Sequence, residues 1–437
     1  MMRKEVPASA LLQSLPDQFF AALMARAEAR KRAGHDVINL GQGNPDVPTP
    51  EALVDQLAQS AKMPSLQRYT PFRGLPELKR KVAEWYLRRF GVSMDPERQV
   101  AIGMGAKVML GELPLALVEP GEGVGVPDPG YPDYLSGIAL ARARAVPVPL
   151  TEERDYLPSW EAVAEPIRLA YMNYPHNPTG RAATNEAMDE AIEFALRTET
   201  ILIHDLAYGE IRFDGRPAVS LLAREGGLDA GAEILTLSKS HSMAGWRIAV
   251  LSGRADVVSH LEQLQDHLHC GPFGAIQEVA ALALSPEMDR AAEERSAIYE
   301  HRRDVWIQAC EAEGWYIQPS HGSIFIWAAV PRGVSSQSFA DALLEEGSIV
   351  VAPGDGFGTR GQGYVRIALT ESAERLQEAA ERAGHVLRAH GWSLPGADNP
   401  RRGYTRHGDL AGGDLRTSAL HHQGRNARRG DRHCQLF

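Results

Sequence analysis

The sequence predicts an α/β protein, and three observations carry that expectation. Short apolar runs alternate along the chain with longer stretches of helical periodicity. The runs have no polar face, as expected of strands buried on both sides of a parallel sheet. Each run ends abruptly in polar residues, at the strand end where open α/β sheets bind ligands. At 437 residues the chain is long enough for two or three domains. No apolar run approaches the ~20 residues of a membrane span. The N-terminus, Met1-Met2-Arg3-Lys4-Glu5, leads into an amphipathic segment rather than an apolar signal core. The 3 cysteines, Cys270, Cys310 and Cys434, are far apart and odd in number. They argue for a reducing, cytoplasmic setting and against a disulfide framework or zinc cluster.

The formal charge is −10, distributed unevenly. Residues 394–437 hold 8 Arg and 4 Asp with no Lys or Glu, a net of +4, so the remainder carries −10 − 4 = −14. An acidic body of that kind gives no support to a nucleic-acid role.

Taken in order, Pro16-Asp17, the apolar positions Phe19, Phe20, Leu23, Met24 and Ala27, the basic Arg30-Lys31-Arg32 and Gly34 predict an amphipathic helix over 16–33. Val37 to Leu40 reads as a short strand breaking into Gly41-Gln42-Gly43-Asn44-Pro45-Asp46. Tyr69-Thr70-Pro71-Phe72-Arg73-Gly74 precedes a helix from Pro76 through Tyr86. A strand over 99–103 stops before Gly105-Ala106-Lys107, which open an apolar helix. Free amides at a helix start suit a phosphate, and glycine permits close approach. A dinucleotide fingerprint would need a further glycine where Val108 stands, so that reading is weak.

The strand Val124 to Pro127 leads into Asp128-Pro129-Gly130-Tyr131-Pro132-Asp133-Tyr134, and Leu169 to Met172 ends at Asn173 and the turn Asn177-Pro178-Thr179-Gly180. A helix over about 184–197 precedes the run Thr200 to Asp205. An unpaired carboxylate at the end of such a run is costly, so Asp205 predicts a cationic partner. Tyr208 follows three residues on.

The run Ile234-Leu235-Thr236-Leu237 ends at Ser238-Lys239-Ser240, with Arg247 eight residues after Lys239. A lone Ser-Lys is ordinarily a solvated loop. Here the apolar strand before it and Met243-Ala244-Gly245-Trp246-Arg247 after it place an amine beside groups suited to a phosphate. A helical stretch over about 285–313 then leads to a second domain. There Pro319 to Trp327 reads as a strand, Pro353 to Gly358 as a loop and Gly363 to Leu369 as a final strand. Arg366 interrupts that last strand. It is either an edge arginine snorkelling to water or a fork for a carboxylate. A helix over about 371–390 closes the fold. From 393 onward the composition predicts a disordered tail, and its His421-His422 and His433-Cys434 lack spaced partners for a metal.

From about residue 11 to 390 the chain resembles the fold-type I, class I/II aminotransferases dependent on pyridoxal 5'-phosphate (PLP). The resemblance rests on Tyr69, Tyr131, Asn177, Asp205, Tyr208, Ser238, Lys239, Arg247 and Arg366 occurring together. It implies a mostly parallel seven-stranded sheet in a large domain (47–290), a smaller α/β domain (291–392) and an N-terminal arm (11–46). It also implies that Lys239 holds the cofactor as a Schiff base and that Asp205 keeps the pyridine nitrogen protonated. Asn177 and Tyr208 would meet the ring hydroxyl, and Tyr131 would stack on the ring. Ser238, Arg247 and the amides of Gly105, Ala106 and Lys107 would hold the phosphate, with Tyr69 arriving from the partner of a homodimer. Gly43, Asn177 and Arg366 would contact the substrate.

Segments such as His204-Asp205-Leu206-Ala207-Tyr208-Gly209 and Met243 to Arg247 are similar to the bacterial methionine-salvage branch, which aminates 4-methylthio-2-oxobutanoate. Branches acting on aspartate, aromatic or LL-diaminopimelate substrates share them. A C–S β-lyase on the same scaffold is the enzymatic alternative. A transcription-regulator module is the other, and it would need a DNA-binding domain before the first helix, where fewer than 20 residues stand. The segment Gln265 to Gly274 has no Arg or Lys, and Phe19 and Phe20 are expected to line the mouth, so apolar substrate side chains are favoured.

Overall fold

The computed structural model describes residues 6–393. The expected tail lies, apart from Ser393, outside the described residues. In chain order the strands are β1 Ile38–Asn39, β2 Val100–Gly103, β3 Gly123–Asp128, β4 Arg144–Pro149, β5 Leu169–Asn173 and β6 Ile201–Asp205. They continue as β7 Gly231–Thr236, β8 Ala249–Gly253, β9 Phe325–Ala329, β10 Ile349–Val350, β11 Ala352–Pro353 and β12 Tyr364–Ala368.

The fully apolar runs form the centre of a 7-stranded sheet in the order β2-β8-β7-β6-β5-β3-β4. Every pairing is parallel except those of β8, which is antiparallel to β2 and β7. Both faces are covered, which is why alternation fails as a sequence signal here. Ile203 and Ile234 pack with Leu110, Leu113 and Leu261 from the helices Ala106–Leu117 and Ala255–Leu268. Leu202 and Met172 pack with Met188 and Ile192 of the helix Asn185–Thr198. Each large apolar side chain buried in this way contributes about 1.5–3 kcal/mol.

A 3-stranded antiparallel sheet, β11-β12-β9, carries a further core with the helices Asp289–Ala312 and Ala373–Ala389. Tyr299, Trp306, Phe339 and Leu376 fill it. β1 pairs with β10 in parallel. Among the described residues no helix is long and apolar enough to cross a membrane.

Several boundaries differ from expectation, each for a local reason. The first long helix runs Phe19–Arg32, because Phe19 N–H first closes a tight turn on Asp17 O. The helix from Pro76 extends past Tyr86 to Phe90, whose ring packs on Trp85 and Tyr86, and stops at the left-handed Gly91. The stretch from 285 opens as a short 3₁₀ turn, Pro286–Met288, before the α-helix proper at Asp289. Of the expected Pro319–Trp327 strand only Phe325 to Trp327 joins a sheet, in a strand that runs on to Ala329. The residues before it form a loop because Ser323 takes φ +66° and the amides of His321 and Gly322 bond Gly180 O instead.

Candidate active site

The ends of β5, β6 and β7 deliver the polar residues to one place. β7 stops where Thr236 caps the short turn Leu237–Ser240, accepting from Ser238 N–H at 3.3 Å. That turn presents Lys239, whose Nζ donates to Gly43 O at 2.7 Å. The ammonium is pushed down to about 8, first by burial and then by the positive Arg366 and Arg247, with Asp205 opposing. Asp205, at the end of β6, is buried, and its carboxyl is held up to about 6. Desolvation raises it; Tyr134 Oη, donating to Oδ2 at 3.0 Å, and Ala207 N–H, donating to Oδ1 at 3.2 Å, pull it back.

Arg366 sits on β12, the middle strand of its sheet, opposite Trp327 and Ala352. The edge-strand alternative therefore fails. Its side chain is 2% exposed, and burial lowers its pKa to about 10. One nitrogen donates to Asn177 Oδ1 at 3.0 Å, another to Gly41 O at 2.8 Å. Three rings surround the guanidinium carbon: Phe325 at 4.0 Å, Phe357 at 4.8 Å and Phe20 at 4.9 Å. Nε is buried and has no hydrogen-bond partner among the described residues. Tyr208, edge-on to Phe325, feels both Arg366 and Asp205, although burial dominates in raising its hydroxyl pKa. Tyr131, edge-on to Tyr134, lies within the field of Tyr208 and Asp205. Gly43 has no room for a side chain, since a Cβ there would stand 2.4 Å from the Phe325 ring.

Gly105 caps the helix Ala106–Leu117 at φ +96°, and a Cβ on it would lie 2.5 Å from the Arg247 guanidinium. The free helix amides thus face a cation, a geometry that suits a phosphate. Ser238 Oγ is 2.8 Å from Thr236 Oγ1 in the same neighbourhood. The Lys107 ammonium turns away to pair with Asp133 at 2.9 Å. Tyr69 stands apart: it is 87% exposed, and none of the described residues bonds its hydroxyl.

Phe19 and Phe20 both reach this region, where they meet each other and Phe357 edge-on. The segment 265–274 has a cation beside it after all, since Arg73 approaches Asp266 at 3.6 Å. That arginine also pairs with Glu262 at 3.3 Å, so its charge is answered locally.

Sequence reasoning missed the supports beneath these groups. Tyr134 holds Asp205 and stacks on Tyr171 at 4.5 Å. Asn173 accepts from Asn177 N–H at 2.8 Å and donates to Asp205 O at 2.7 Å, tying two predicted residues together. Both lie inside quoted motifs, and a polar residue at the last place of an apolar strand was the available signal. His204 and Glu233, fully buried and 2.7 Å apart, bond across β6 and β7 on the far side of Asp205. Nothing in the sequence separated them from ordinary strand residues.

A mostly parallel sheet whose strand ends present a half-buried lysine and a buried carboxylate, beside a buried arginine from the antiparallel sheet, defines an amine-handling α/β enzyme. The chain belongs to the aminotransferase class I and II family, whose sequence model matches residues 35–382. It is 46% identical over 382 residues to the L-glutamine--4-(methylsulfanyl)-2-oxobutanoate aminotransferase of Bacillus subtilis (strain 168), covering 86% of this chain and 96% of that one. It is 40% identical to the LL-diaminopimelate aminotransferase of Moorella thermoacetica, covering 86% and 97%. Substrate-bound BacF from Bacillus subtilis superposes with a TM-score of 0.83 at 39% identity, over 88% of this chain and 98% of that structure.

The protein is therefore a PLP-dependent aminotransferase of fold type I. The residues present fit that cofactor. A buried carboxylate with only neutral donors suits a cationic ring nitrogen, and the Gly105 helix start beside Arg247 suits a phosphate.

Proposed function

We propose that this aminotransferase converts 4-methylthio-2-oxobutanoate to methionine at the expense of an L-amino acid such as glutamine. The observation that carries the reading is the wall of Phe20, Phe325 and Phe357 around Arg366. A carboxylate gripped by Arg366 would leave its side chain against apolar rings rather than a second cation. The 46% identical relative named for that keto acid supports the same substrate.

When bound, PLP supplies the electron sink for charge developing at the substrate α-carbon. Lys239 would hold it and, once displaced, use Nζ to move the α-proton. An amine lowered to about 8 keeps a minority neutral fraction near physiological pH, far larger than an ordinary lysine's, and so can serve as a base. Asp205 would stay ionised against the ring nitrogen, with Tyr134 and Asn173 fixing its place. Asn177 and Tyr208 would address the ring hydroxyl and Tyr131 the ring face. Arg247, Ser238 and the amides of Gly105, Ala106 and Lys107 would hold the phosphate. Arg366, with Asn177 and Gly43 alongside, would orient the substrate for deprotonation. Tyr69 would reach the site of a second subunit, making the working unit a homodimer. The division into an arm (11–46), a large domain (47–290) and a small domain (291–392), and a cytoplasmic location, belong to the same reading.

A panel of keto acids with glutamine as donor tests the substrate. We expect 4-methylthio-2-oxobutanoate to exceed oxaloacetate and 2-oxoglutarate in kcat/KM by at least about tenfold, or ~1.4 kcal/mol. A dicarboxylic preference would overturn it. The relatives named for LL-diaminopimelate give a second reading, in which LL-diaminopimelate is the better donor. Pyruvate and ammonia released without any keto acid would instead mark a β-lyase.

A further inference from the structure

We propose that Asp128 is a positioning residue for recognition of the substrate carboxylate, acting through the loop that carries Phe357. The inference rests on the reading of Arg366 as the carboxylate fork. Asp128 is the last residue of β3, three before Tyr131, and it is buried. Its carboxylate does not point to the lysine or to any cation. Instead it accepts from Thr359 Oγ1 at 2.6 Å through Oδ2 and from Arg360 N–H at 3.0 Å through Oδ1. Between those donors and Phe357 stands Gly358 at φ +124°, where a Cβ would lie 2.2 Å from Asp128 Oδ1. The loop is thus pressed onto the carboxylate as closely as a backbone can come.

A second tie runs beside the first. Gly130 N–H donates to Phe357 O at 2.7 Å. The turn that leads to Tyr131 and the loop from β11 to β12 are therefore clamped together by both a side chain and a backbone bond.

Phe357 is what the clamp holds. Its ring lies 4.8 Å from the Arg366 guanidinium carbon and meets Trp327 edge-on at 5.8 Å. Phe19 and Phe20 lean on the same ring at 5.9 and 6.0 Å. One carboxylate thereby joins a strand end of the large sheet to the aromatic wall that fixes the fork. Hydrogen bonds to an ionised acceptor are short and strong, so releasing them frees the wall while leaving the lysine end of the site intact.

The test uses purified holoenzyme and reads KM for 4-methylthio-2-oxobutanoate, kcat, cofactor affinity and the unfolding midpoint separately. Asp128→Ala should raise KM about tenfold or more, with kcat and cofactor affinity within about threefold. Asp128→Asn keeps an acceptor for Arg360 N–H and should restore most of the loss. Thr359→Val removes one donor without touching the strand, so it serves if Asp128→Ala fails to fold. It should raise KM in the same sense, and Thr359→Val combined with Asp128→Ala should add little to the latter alone. Additive effects, or a fall in cofactor affinity matching the rise in KM, would overturn the proposal. Arg366→Lys serves as the separate control. If it raises KM while Asp128→Ala and Thr359→Val do not, the clamp is wrong and the fork stands. If Arg366→Lys leaves KM unchanged, the carboxylate reading itself is wrong.

Discussion

Two groups at the site, the half-buried Lys239 and the buried Asp205, are held away from their ordinary protonation, in opposite directions. Lys239 is brought down to about 8 and Asp205 up to about 6, chiefly by burial in both cases. Lys239→Ala should abolish transamination, by at least about 10³-fold, in a chain that still unfolds cooperatively. Steady-state assays with excess cofactor check this, and near-full activity would remove the lysine from the mechanism. For Asp205 the sign follows from linkage. The folded chain keeps a proton that the unfolded chain releases, so the group's contribution is complete below about pH 4 and lost as pH rises through about 6. In cofactor-free protein, Asp205→Asn should therefore be more stable than the wild type above pH 6, by roughly 2–3 kcal/mol, and level with it near pH 4. Urea titrations across that range decide it, and a gap independent of pH would place the effect elsewhere.

At the scale of the element, the work is done by strand ends. An apolar strand cannot carry a polar side chain cheaply, so the residue at which it stops is the first available for chemistry. That is why Asp205 and Lys239 were legible in the sequence as breaks in apolar runs. β4 was not: its two prolines and half-exposed face suit an edge strand, which reads as a loop. β8 was missed because it is short and follows the Met243 to Arg247 turn directly. The supports were invisible for another reason. Tyr134 and Asp205 are 71 residues apart, and no local pattern encodes that bond.

The helix start at Gly105 allows a sharp prediction. Gly105→Ala forces a side chain against Arg247 from a backbone angle that disfavours it, so cofactor affinity should fall about tenfold or more. Gly245, two residues before the same arginine, has open space where a Cβ would go and no positive φ. Gly245→Ala should leave affinity within about twofold, measured by equilibrium titration of the apoprotein. Equal losses would assign the phosphate elsewhere.

For the whole molecule, a telling residue is Tyr69, whose hydroxyl has no partner among the described residues. Tyr69 is 87% exposed, yet the loop bearing it is fastened firmly. Gln277 accepts from Leu75 N–H at 2.8 Å and donates to Pro272 O at 2.8 Å and to Thr70 Oγ1 at 3.3 Å. In the homodimer proposed above, this exposed aromatic on its braced loop would meet the second subunit. Phe72 and Phe273, exposed beside that brace, extend the same apolar surface. If the partner is a second copy, Tyr69→Phe and Lys239→Ala should each impair activity alone. Subunits exchanged between the two variants would then form mixed dimers with one intact site, built from Lys239 of one chain and Tyr69 of the other. Random pairing makes half the dimers mixed, so activity should recover to about a quarter of the wild type. Recovery absent after exchange has been verified by mass would mean that Tyr69 serves its own subunit, and the shared site would have to be abandoned.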